Sequence, residues 1–241
     1  MKIFAYMERG SGKECSEDTM SVNGQLLKEG FFSFESSGNC VAVADGVGGN
    51  AGGREASEFV VNKFKDGIEG NAKTTAEKIN ADLISYAMSV PGKEQMATTL
   101  SAMLFNDAEP SFIIHIGNTR VSAIQGEYLK QLTNDHTTVE FLKCRGDFEA
   151  AERAPKNEIT ACFGSGNPAR LNQLQIIEID RSYAGYVITS DGIHDYLDEE
   201  VIEDFISNGC FTELAFKGLF RQAKECGSSD DKSIVVVRLW E

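Results

Sequence analysis

The sequence lacks the features that would take it out of the class of ordinary globular proteins. No apolar run approaches the ~20 residues that a membrane-spanning helix needs, so we expect no membrane segment and no membrane partner. The apolar stretch that follows Met1 is far too short for a signal peptide. Proline is scarce, with 4 residues in 241, and no low-complexity tract or linker interrupts the chain. These absences predict one folded domain that spans residues 1–241.

The sulfur and imidazole patterns of disulfide scaffolds and zinc sites are missing too. The 6 cysteines include no Cys-x-x-Cys pair, and a chain of this length does not need disulfides, so we expect reduced thiols and a cytoplasmic location. The 3 histidines, His115, His136 and His194, do not have the spacing of zinc ligands. His115 lies inside the apolar run Phe112–Ile116, which favours a buried strand position over a ligand role.

Positive charge is in short supply. The chain has 23 Lys and Arg against 37 Asp and Glu, which gives a net charge of −14. Such a protein repels polyanions, so nucleic acid and anionic membrane surfaces are excluded as general partners. A local group of cations could still bind a phosphate.

Short runs rich in β-branched residues predict most of the regular structure, because runs of about four to eight residues favour strands over helices. The predicted strands are Thr19–Val22, Cys40–Ala44, Thr98–Phe105, Phe112–Ile116, Arg120–Ile124, Tyr128–Leu132, Leu174–Ile179, Tyr186–Thr189 and Ser233–Leu239. Turn sequences at 106–110 and 125–127 join consecutive strands into hairpins. Consecutive hairpins argue against a repeating βαβ fold and predict an α+β protein with antiparallel sheets and segregated helices.

Helical periodicity occurs in two pairs of segments. Apolar residues recur at helical spacing across 56–64 and 76–87. Two further segments follow the possible N-cap residues Asp198 and Thr212, and they end before Gly209 and Gly227. The polar segment 139–157 has no clear period, so we predict a long irregular loop with a functional role there.

Acidic residues stand beside four of the strands. They form the pairs Glu17-Asp18, Asp45-Gly46, Asp191-Gly192 and Asp230-Asp231. Strand ends from distant parts of a chain can meet at one edge of a sheet, but carboxylates packed together without cations cost several kcal/mol each. Oxygen ligands select hard ions, so the pattern predicts a Mg²⁺ or Mn²⁺ site. Each Asp-Gly pair taken alone is also a common turn sequence, and that alternative stays open.

The glycine-rich segment 45–53 has a second interpretation. Its Gly46–Ala51 portion fits the G-x-G-x-x-A form of a dinucleotide-binding fingerprint between a strand and a helix. However, Asp45 would place a negative charge beside the pyrophosphate, and the region that should hold the next strand is predicted to be helical. No Gly-Lys-Ser/Thr sequence follows, which excludes a P-loop. The pattern therefore favours a strand end that exposes the Gly46 carbonyl over a nucleotide site.

Seven short motifs follow one another along the chain. They are Lys13–Asp18 (KECSED), Val43–Gly49 (VADGVGG), Ala97–Leu100 (ATTL), Gly117–Arg120 (GNTR), Leu132–Thr137 (LTNDHT), Ser190–Ile193 (SDGI) and Asp230–Ser233 (DDKS). In this order they resemble the motifs of the metal-dependent Ser/Thr protein phosphatases of type 2C, the PPM family, in its compact bacterial form. The family's versions are Arg-x-x-Asn-Glu-Asp, Asp-Gly-x-Gly-Gly, Gly-Thr-Thr, Gly-Asp-Ser-Arg, Leu-Thr-x-Asp-His-Ser, Ser-Asp-Gly-Leu and Asp-Asn-x-Thr. The resemblance covers nearly the whole chain.

The resemblance implies a four-layer αββα sandwich of two antiparallel sheets flanked by helix pairs. It also implies hydrolysis of phosphoserine and phosphothreonine esters by a water that two Mg²⁺ or Mn²⁺ ions share. The implied partners are phosphorylated proteins and a cognate Ser/Thr kinase in the same pathway. Because no coiled-coil pattern or interface stripe is present, we expect a monomer.

The resemblance also implies the site residues, position by position. The implied metal ligands are Glu17, Asp45, the Gly46 carbonyl, Asp191 and Asp230. Asp45 would bridge the two ions and take part in catalysis. Asp18 would orient the cluster, and Lys13 would receive the substrate phosphate.

Three departures from the family pattern limit the roles that the resemblance implies. Lys13 replaces arginine, so the phosphate would meet a point charge instead of a bidentate fork, and we expect weaker binding with activity kept. Asn118 replaces an aspartate that would bind a third metal ion, and its neutral carbonyl oxygen is a poorer ligand. Val47 stands where some relatives have a histidine that is suspected to be the general acid. A metal-bound water, His136 or His194 would have to supply that proton, although both histidines are better explained as structural residues.

Two other functions stay open at this stage. One is a catalytically silent module of the same fold that binds phosphoproteins, which the presence of all four acidic ligands disfavours. The other is a small-molecule phosphohydrolase or phosphodiesterase, which the ligand set does not exclude. The segment 139–157 would form the family's flap, which borders the active site and varies with substrate.

Overall fold

The structure is a computed structural model that describes residues 1–35, 40–47, 51–106 and 110–239. The strands in chain order are β1 (Lys2–Glu8), β2 (Thr19–Val22), β3 (Gln25–Leu27), β4 (Gly30–Glu35), β5 (Cys40–Ala44), β6 (Ala97–Thr98), β7 (Leu100–Leu104), β8 (Phe112–Ile116), β9 (Arg120–Gln125), β10 (Tyr128–Gln131), β11 (Phe163–Gly164), β12 (Gln175–Glu178), β13 (Gly185–Thr189) and β14 (Lys232–Arg238). The helices are α1 (Gly53–Phe64), α2 (Ala72–Ser89), α3 (Thr138–Cys144), α4 (Phe148–Arg153), α5 (Asp191–His194), α6 (Glu199–Asn208) and α7 (Glu213–Glu225), and a 3-10 helix spans Pro168–Leu171.

Two six-stranded antiparallel sheets carry the fold. The strand order is β10-β9-β13-β14-β1-β4 in the first sheet and β12-β8-β7-β5-β2-β3 in the second, and β6 pairs with β11 separately. The first and last strands of the chain are neighbours, since Glu8 of β1 lies opposite Lys232 of β14. The loop after β1 and the loop before β14 therefore reach the same end of the sandwich.

The apolar side chains form three buried layers that separate the two sheets and the helices. Val41 and Val43 of β5 lie in the cluster between the sheets, while Cys40 and Ala42 of the same strand face the cluster under α1 and α2. A third cluster packs α6 and α7 on the outer face of the first sheet. Strands buried on both faces are continuously apolar, which is why their runs were recognisable. The predicted α+β sandwich of four layers, αββα, is confirmed.

The predicted strands are present with small changes at their ends. The predicted strand Thr98–Phe105 is divided at Thr99, whose amide and hydroxyl both bond with the backbone of Asp45. The hairpin between β7 and β8 forms as predicted, but most of its turn, residues 107–109, lies outside the described residues. The dinucleotide interpretation is wrong, because β5 pairs antiparallel with both of its neighbours and no parallel βαβ unit contains it.

Two strands of the first sheet, β1 and β4, were not predicted. β1 has 7 residues and β4 has 6, and both carry aromatic residues, with the sequences KIFAYME and GFFSFE. In β1 half-buried residues alternate with buried ones over Lys2–Ala5, a pattern that is typical of a strand.

The segment 139–157 is not the irregular loop that the sequence predicts, because it contains α4 and nearly all of α3. Each helix begins at a side-chain cap: Thr137 accepts a hydrogen bond from the Glu140 amide, and Asp147 accepts one from the Ala150 amide. α3 buries none of its residues and α4 buries only Ala151, so the apolar period that reveals most helices is missing. The caps, rather than burial, define these helices.

Two further features were expected from the sequence: reduced cysteines and the lack of a membrane-spanning helix. All six cysteines have free thiols. In the part of the chain that the structure describes, no helix is both long and apolar enough to cross a membrane.

Candidate active site

The end of β5 places Asp45 at one end of the sandwich. The Thr99 amide donates to the Asp45 carbonyl at 2.8 Å, and the Asp45 amide donates to Thr99 Oγ1 at 2.9 Å. The next residue, Gly46, packs against the first turn of α1 so closely that a Cβ would overlap the backbone of Gly53. Only glycine therefore fits directly after Asp45. Residues 48–50 of the same motif lie outside the described residues.

Glu17 is fixed beside the end of β5 by its backbone. Its carbonyl accepts hydrogen bonds from the Gly46 amide at 3.2 Å and from Ser57 Oγ of α1 at 2.6 Å. Its amide donates to Asp231 Oδ2 at 2.8 Å. The loop after β1 is thus tied to three separate parts of the chain.

Asp18 points into the protein and is only 3% exposed. Its Oδ2 atom accepts a hydrogen bond from Ser233 Oγ of β14 at 2.7 Å. Its Oδ1 atom is buried and has no hydrogen-bond donor among the described residues. The supporting role that the family resemblance implies for Asp18 stays a prediction; its side chain contacts the last strand.

Asp191 lies at the end of β13, where α5 begins. Its Oδ2 atom accepts a hydrogen bond from Asn118 Nδ2 at 2.8 Å. The Oδ1 atoms of both residues are buried and lack a donor within the described ranges. The following residue, Gly192, lies so close to the Asp231 carbonyl that a Cβ would overlap it, which holds the end of β13 against the start of β14.

The acidic side chains are close enough to change each other's ionisation. Burial raises the pKa of Asp18 to about 8, and the negative charge of Asp231 adds to the effect. Burial raises the pKa of Asp191 to about 6, with Asp230 as the next cause. The pKa of Asp45 is raised well above its ordinary value, first by burial and then by the charges of Asp18 and Asp191. The four strand-end acids from distant parts of the sequence therefore meet at one place.

The Lys13 ammonium lies among these acids. Its Nζ atom is 3.1 Å from Glu17 Oε2, 2.9 Å from Asp230 Oδ1 and 2.7 Å from Asp231 Oδ2. Burial lowers the pKa of Lys13, but the bonds with Asp231 and Asp230 outweigh that effect and raise it above its ordinary value. Lys13, for which the family resemblance implies a contact with the substrate phosphate, thus directs its donors to protein carboxylates.

Asp231 was not among the predicted site residues. Its side chain is 2% exposed, and besides Lys13 and Glu17 it bonds with the Gly10 amide, which donates to Oδ1 at 2.7 Å. The signal was the Asp230-Asp231 pair before a buried strand. Neighbouring residues of an extended chain point to opposite sides, so one acid of such a pair faces inward and needs donors.

The oxygen atoms of the acidic cluster and of Asn118 are the kind of ligand that hard divalent cations prefer, but the described side chains are not yet arranged around a cation. As they stand, no three acidic, imidazole or thiol side chains of the described residues are arranged to hold a metal ion together. Yet Asp18, Asn118 and Asp191 each have a buried oxygen without a donor. Such oxygens are costly unless a cation pairs with them, and the same charge would relieve the crowded carboxylates. Oxygen-only donors match Mg²⁺ or Mn²⁺.

The histidines are held as structural residues. His115 Nδ1 lies 2.9 Å from Ser101 Oγ, and His136 Nδ1 accepts from the Gly117 amide at 3.0 Å. Burial lowers the pKa of His115 to about 3 and that of His136 to about 4. His194 is also buried with its pKa lowered by burial. Neutral imidazoles near pH 7 fit the structural interpretation better than a general-acid role.

A cavity of about 230 Å³ separates the flap segment (139–157) from Asn118. Lys143 and Lys156 of the flap segment line it together with Arg120. The Arg120 guanidinium makes a two-pronged ion pair with Asp135 at 2.6–3.0 Å at the base of the flap. The flap segment therefore borders the acidic cluster.

Comparisons with known proteins show which family the chain belongs to. A family profile described as Protein phosphatase 2C matches residues 22–229. The serine/threonine phosphatase stp of Listeria monocytogenes is 24% identical over 223 residues, which cover 86% of this chain and 87% of the relative.

Solved structures share the whole fold. The serine/threonine phosphatase PstP/Ppp of Mycobacterium tuberculosis aligns with a TM-score of 0.77 and 25% identity, and the alignment covers 100% of both chains. The catalytic domain of PstP in complex with 2 manganese ions aligns with a TM-score of 0.71 and 24% identity over 99% of each chain. Since the family profile covers most of the chain, the chain belongs to the protein phosphatase 2C family, and its enzyme class is that of the serine/threonine phosphatases.

Proposed function

We propose that this enzyme hydrolyses phosphoserine and phosphothreonine esters of proteins at a site for two Mg²⁺ or Mn²⁺ ions. The proposed metal ligands are Glu17, Asp45, the Gly46 carbonyl, Asp191 and Asp230. The observation that carries the proposal is the meeting of Asp45 and Asp191 at adjoining strand ends, where each carboxylate has a raised pKa because of burial and of acidic neighbours. Acidic groups pressed together in this way need a counter-charge.

The chemistry that suits the site is direct attack of water on phosphorus. Two bound ions would supply positive charge for the phosphoryl oxygens and a water of lowered pKa. The chain's own part is to hold the acids in place. Asp18 does this through its bond with Ser233, and Asn118 does it through its bond with Asp191.

Lys13 is the proposed phosphate anchor, and its place beside Glu17 and Asp230 supports that role. Its ammonium is a point charge, so the anchor is weaker and less directional than a guanidinium. Asn118 uses its amide nitrogen on Asp191 and offers one neutral oxygen, which argues against tight binding of a third ion.

Substrate selection is assigned to the flap segment (139–157) and the cavity beneath it. The lysines at 143 and 156 line that cavity, next to the exposed α3. Phosphorylated proteins are the proposed substrates, with a Ser/Thr kinase as the opposing enzyme. Residues 1–241 are proposed to act as one catalytic domain.

The test is turnover of a phosphothreonine peptide and of p-nitrophenyl phosphate by the purified chain, with Mn²⁺, with Mg²⁺ and with EDTA. We expect turnover only with a metal ion. Asp45→Asn and Asp191→Asn should each lose at least about 100-fold in turnover, because even residues that only support a metal ligand contribute about 10–100-fold. Asp204→Asn, on the exposed face of α6, is the matched control and should keep full activity.

Two results would contradict the proposal. Full turnover in EDTA, or in Asp45→Asn, would rule out the metal assignment. A much higher kcat/KM for small phosphomonoesters or phosphodiesters than for any phosphopeptide would instead indicate a small-molecule phosphohydrolase.

A further inference from the structure

Lys13 bonds with two of the proposed metal ligands at once. Its ammonium lies 3.1 Å from Glu17 Oε2 and 2.9 Å from Asp230 Oδ1. Its shortest contact, 2.7 Å, is with Asp231, which is not a proposed ligand. One cation of the chain therefore joins two metal-binding carboxylates to a third carboxylate.

The three carboxylates differ in how firmly they are held. The Asp231 side chain is 2% exposed, and the amides of Gly10 and Glu17 donate to its two oxygens. The Glu17 and Asp230 side chains are 28% and 37% exposed, respectively. Asp231 is thus a fixed partner for Lys13, whereas the other two lie at the border with solvent, where they can exchange one cation for another.

We propose that Lys13 is the internal counter-ion of the metal-free site, and that a divalent cation displaces it from Glu17 and Asp230 while Asp231 retains it. This inference rests on the proposed function, since it takes both carboxylates as metal ligands. The additional claim is that the Lys13 ammonium competes with the metal ion for Glu17 and Asp230. Displacement would also free ammonium donors of Lys13 for the substrate phosphate, so metal loading and phosphate binding are coupled through one side chain.

The competition follows from the geometry. An ammonium at 2.9–3.1 Å from two carboxylates neutralises the charge that a metal ion needs. A second cation that enters the same pocket is repelled, and at protein-like dielectric values such a repulsion is large compared with thermal energy. Two departures from the family motifs meet here: Lys13 stands where the motif has arginine, Asp231 stands where it has asparagine, and the two residues form an ion pair.

The experiment is a calorimetric Mn²⁺ titration of the whole chain without substrate. Lys13→Gln removes the counter-ion, and Lys13→Arg keeps its charge. Asp231→Asn removes the fixed partner and leaves Lys13 to Glu17 and Asp230 alone. Lys217→Gln is the matched control, because it removes the same charge from an exposed helical ion pair with Glu213.

We expect the two site variants to change affinity in opposite directions. Lys13→Gln should bind Mn²⁺ at least tenfold more tightly than the wild type, and Asp231→Asn should bind it at least threefold more weakly. Lys13→Arg should stay within threefold and Lys217→Gln within twofold of the wild type. A role limited to holding the loop in shape would instead weaken Mn²⁺ binding in both site variants.

A second measurement follows the wild type during metal addition and uses a variant only to assign one signal, so its result does not depend on how tightly the variants bind Mn²⁺. The side-chain ¹⁵N signal of Lys13, assigned by its absence in Lys13→Arg, should move when Mg²⁺ is added. An unmoved signal, or a Lys13→Gln variant that binds Mn²⁺ no more tightly than the wild type, overturns the counter-ion proposal. Tighter binding by Asp231→Asn overturns the retaining role. A wild type that binds no Mn²⁺ at all overturns the proposed function as well, so the two failures are distinguishable.

Discussion

The backbone amide of Glu17 donates a 2.8 Å hydrogen bond to Asp231, which lies 214 positions later in the chain. The bond joins the loop that follows β1 to the loop that precedes β14. Because these two strands are antiparallel neighbours, the loops emerge side by side at one end of the first sheet. The acidic site thus depends on the pairing of the first strand with the last.

Without a metal ion, replacing the proposed ligand Asp45 by asparagine should raise the free energy of unfolding. In Asp45→Asn a neutral side chain replaces a carboxyl whose pKa is raised by burial and acidic neighbours. A carboxyl with a raised pKa favours the folded state at low pH and loses that contribution as pH rises, so the benefit of asparagine should grow from pH 5 to pH 8. We expect a gain of about 1 kcal/mol, or about 2–4 °C in Tm, at pH 8 in EDTA.

In excess Mn²⁺ the wild type should instead be more stable than Asp45→Asn. Only the wild type keeps every proposed ligand, so only it gains the full free energy of metal binding. Thermal melts of both proteins with EDTA and with Mn²⁺ measure the effect, and Asp204→Asn should follow the wild type in both. A variant that is less stable than the wild type in EDTA would show that the carboxylates do not repel each other.

A methyl group at Gly46 should separate the end of β5 from α1. The added Cβ would overlap the Gly53 backbone, which cannot rotate away as a flexible side chain could. We expect Gly46→Ala to lose about 1–3 kcal/mol of unfolding free energy, as overpacked positions do. Gly218→Ala in α7 is the control, since nothing lies within 4 Å of its added Cβ. It should gain up to about 1 kcal/mol. Urea denaturation of both variants checks this, and equal stabilities would contradict the packing argument.

Acid should destabilise the fold through its buried imidazoles. The pKa of His136 is lowered by burial to about 4. Between pH 6.5 and that value, the unfolded chain binds a proton that the folded chain does not, so stability is full above pH 6.5 and falls as pH decreases. The free energy of unfolding should therefore fall by on the order of 3 kcal/mol at pH 4 because of this residue.

His136→Asn keeps an acceptor for the Gly117 amide but does not titrate. It should flatten the decline in unfolding free energy between pH 6.5 and 4, while its stability at pH 7.5 stays close to that of the wild type. An identical pH dependence in both proteins would assign the acid sensitivity to other groups.

The ion pair at the base of the flap should require arginine. The Arg120 guanidinium donates to both oxygens of Asp135, and an ammonium cannot reproduce this planar fork. We expect Arg120→Lys to lose about 1–2 kcal/mol of unfolding free energy. Arg54→Lys, in an exposed pair with Glu58, should change it by less than about 0.5 kcal/mol. If chemical denaturation shows that Arg120→Lys and Arg54→Lys lose the same free energy of unfolding, the two-pronged geometry does not contribute to stability.

Much of the fold could be predicted because its strands are buried on both faces. β5 and β14 are almost continuously apolar, and such runs stand out from the surrounding sequence. The flap helices could not be predicted from apolar period, since α3 has no buried residue. Their signals were the cap residues Thr137 and Asp147, which are common in turns as well.

The candidate site was predictable as a set of acids but not as a set of contacts. Asp45 and Asp191 follow apolar strands, so their shared location could be inferred from the sequence. The Lys13 contact with Asp231 joins positions 218 residues apart, and no local pattern specifies it. Which carboxylate a lysine selects depends on burial and on the donors already present, and both are properties of the folded protein.

The adjacency of β1 and β14 has a consequence for biosynthesis. Lys2 of β1 lies opposite Arg238 of β14, so this edge of β1 stays uncovered until more than two hundred further residues have been made. Asp230 likewise leaves the ribosome more than two hundred residues after Glu17. A nascent chain therefore carries only part of the acidic cluster, and the cluster is complete only when the last strand has joined the sheet.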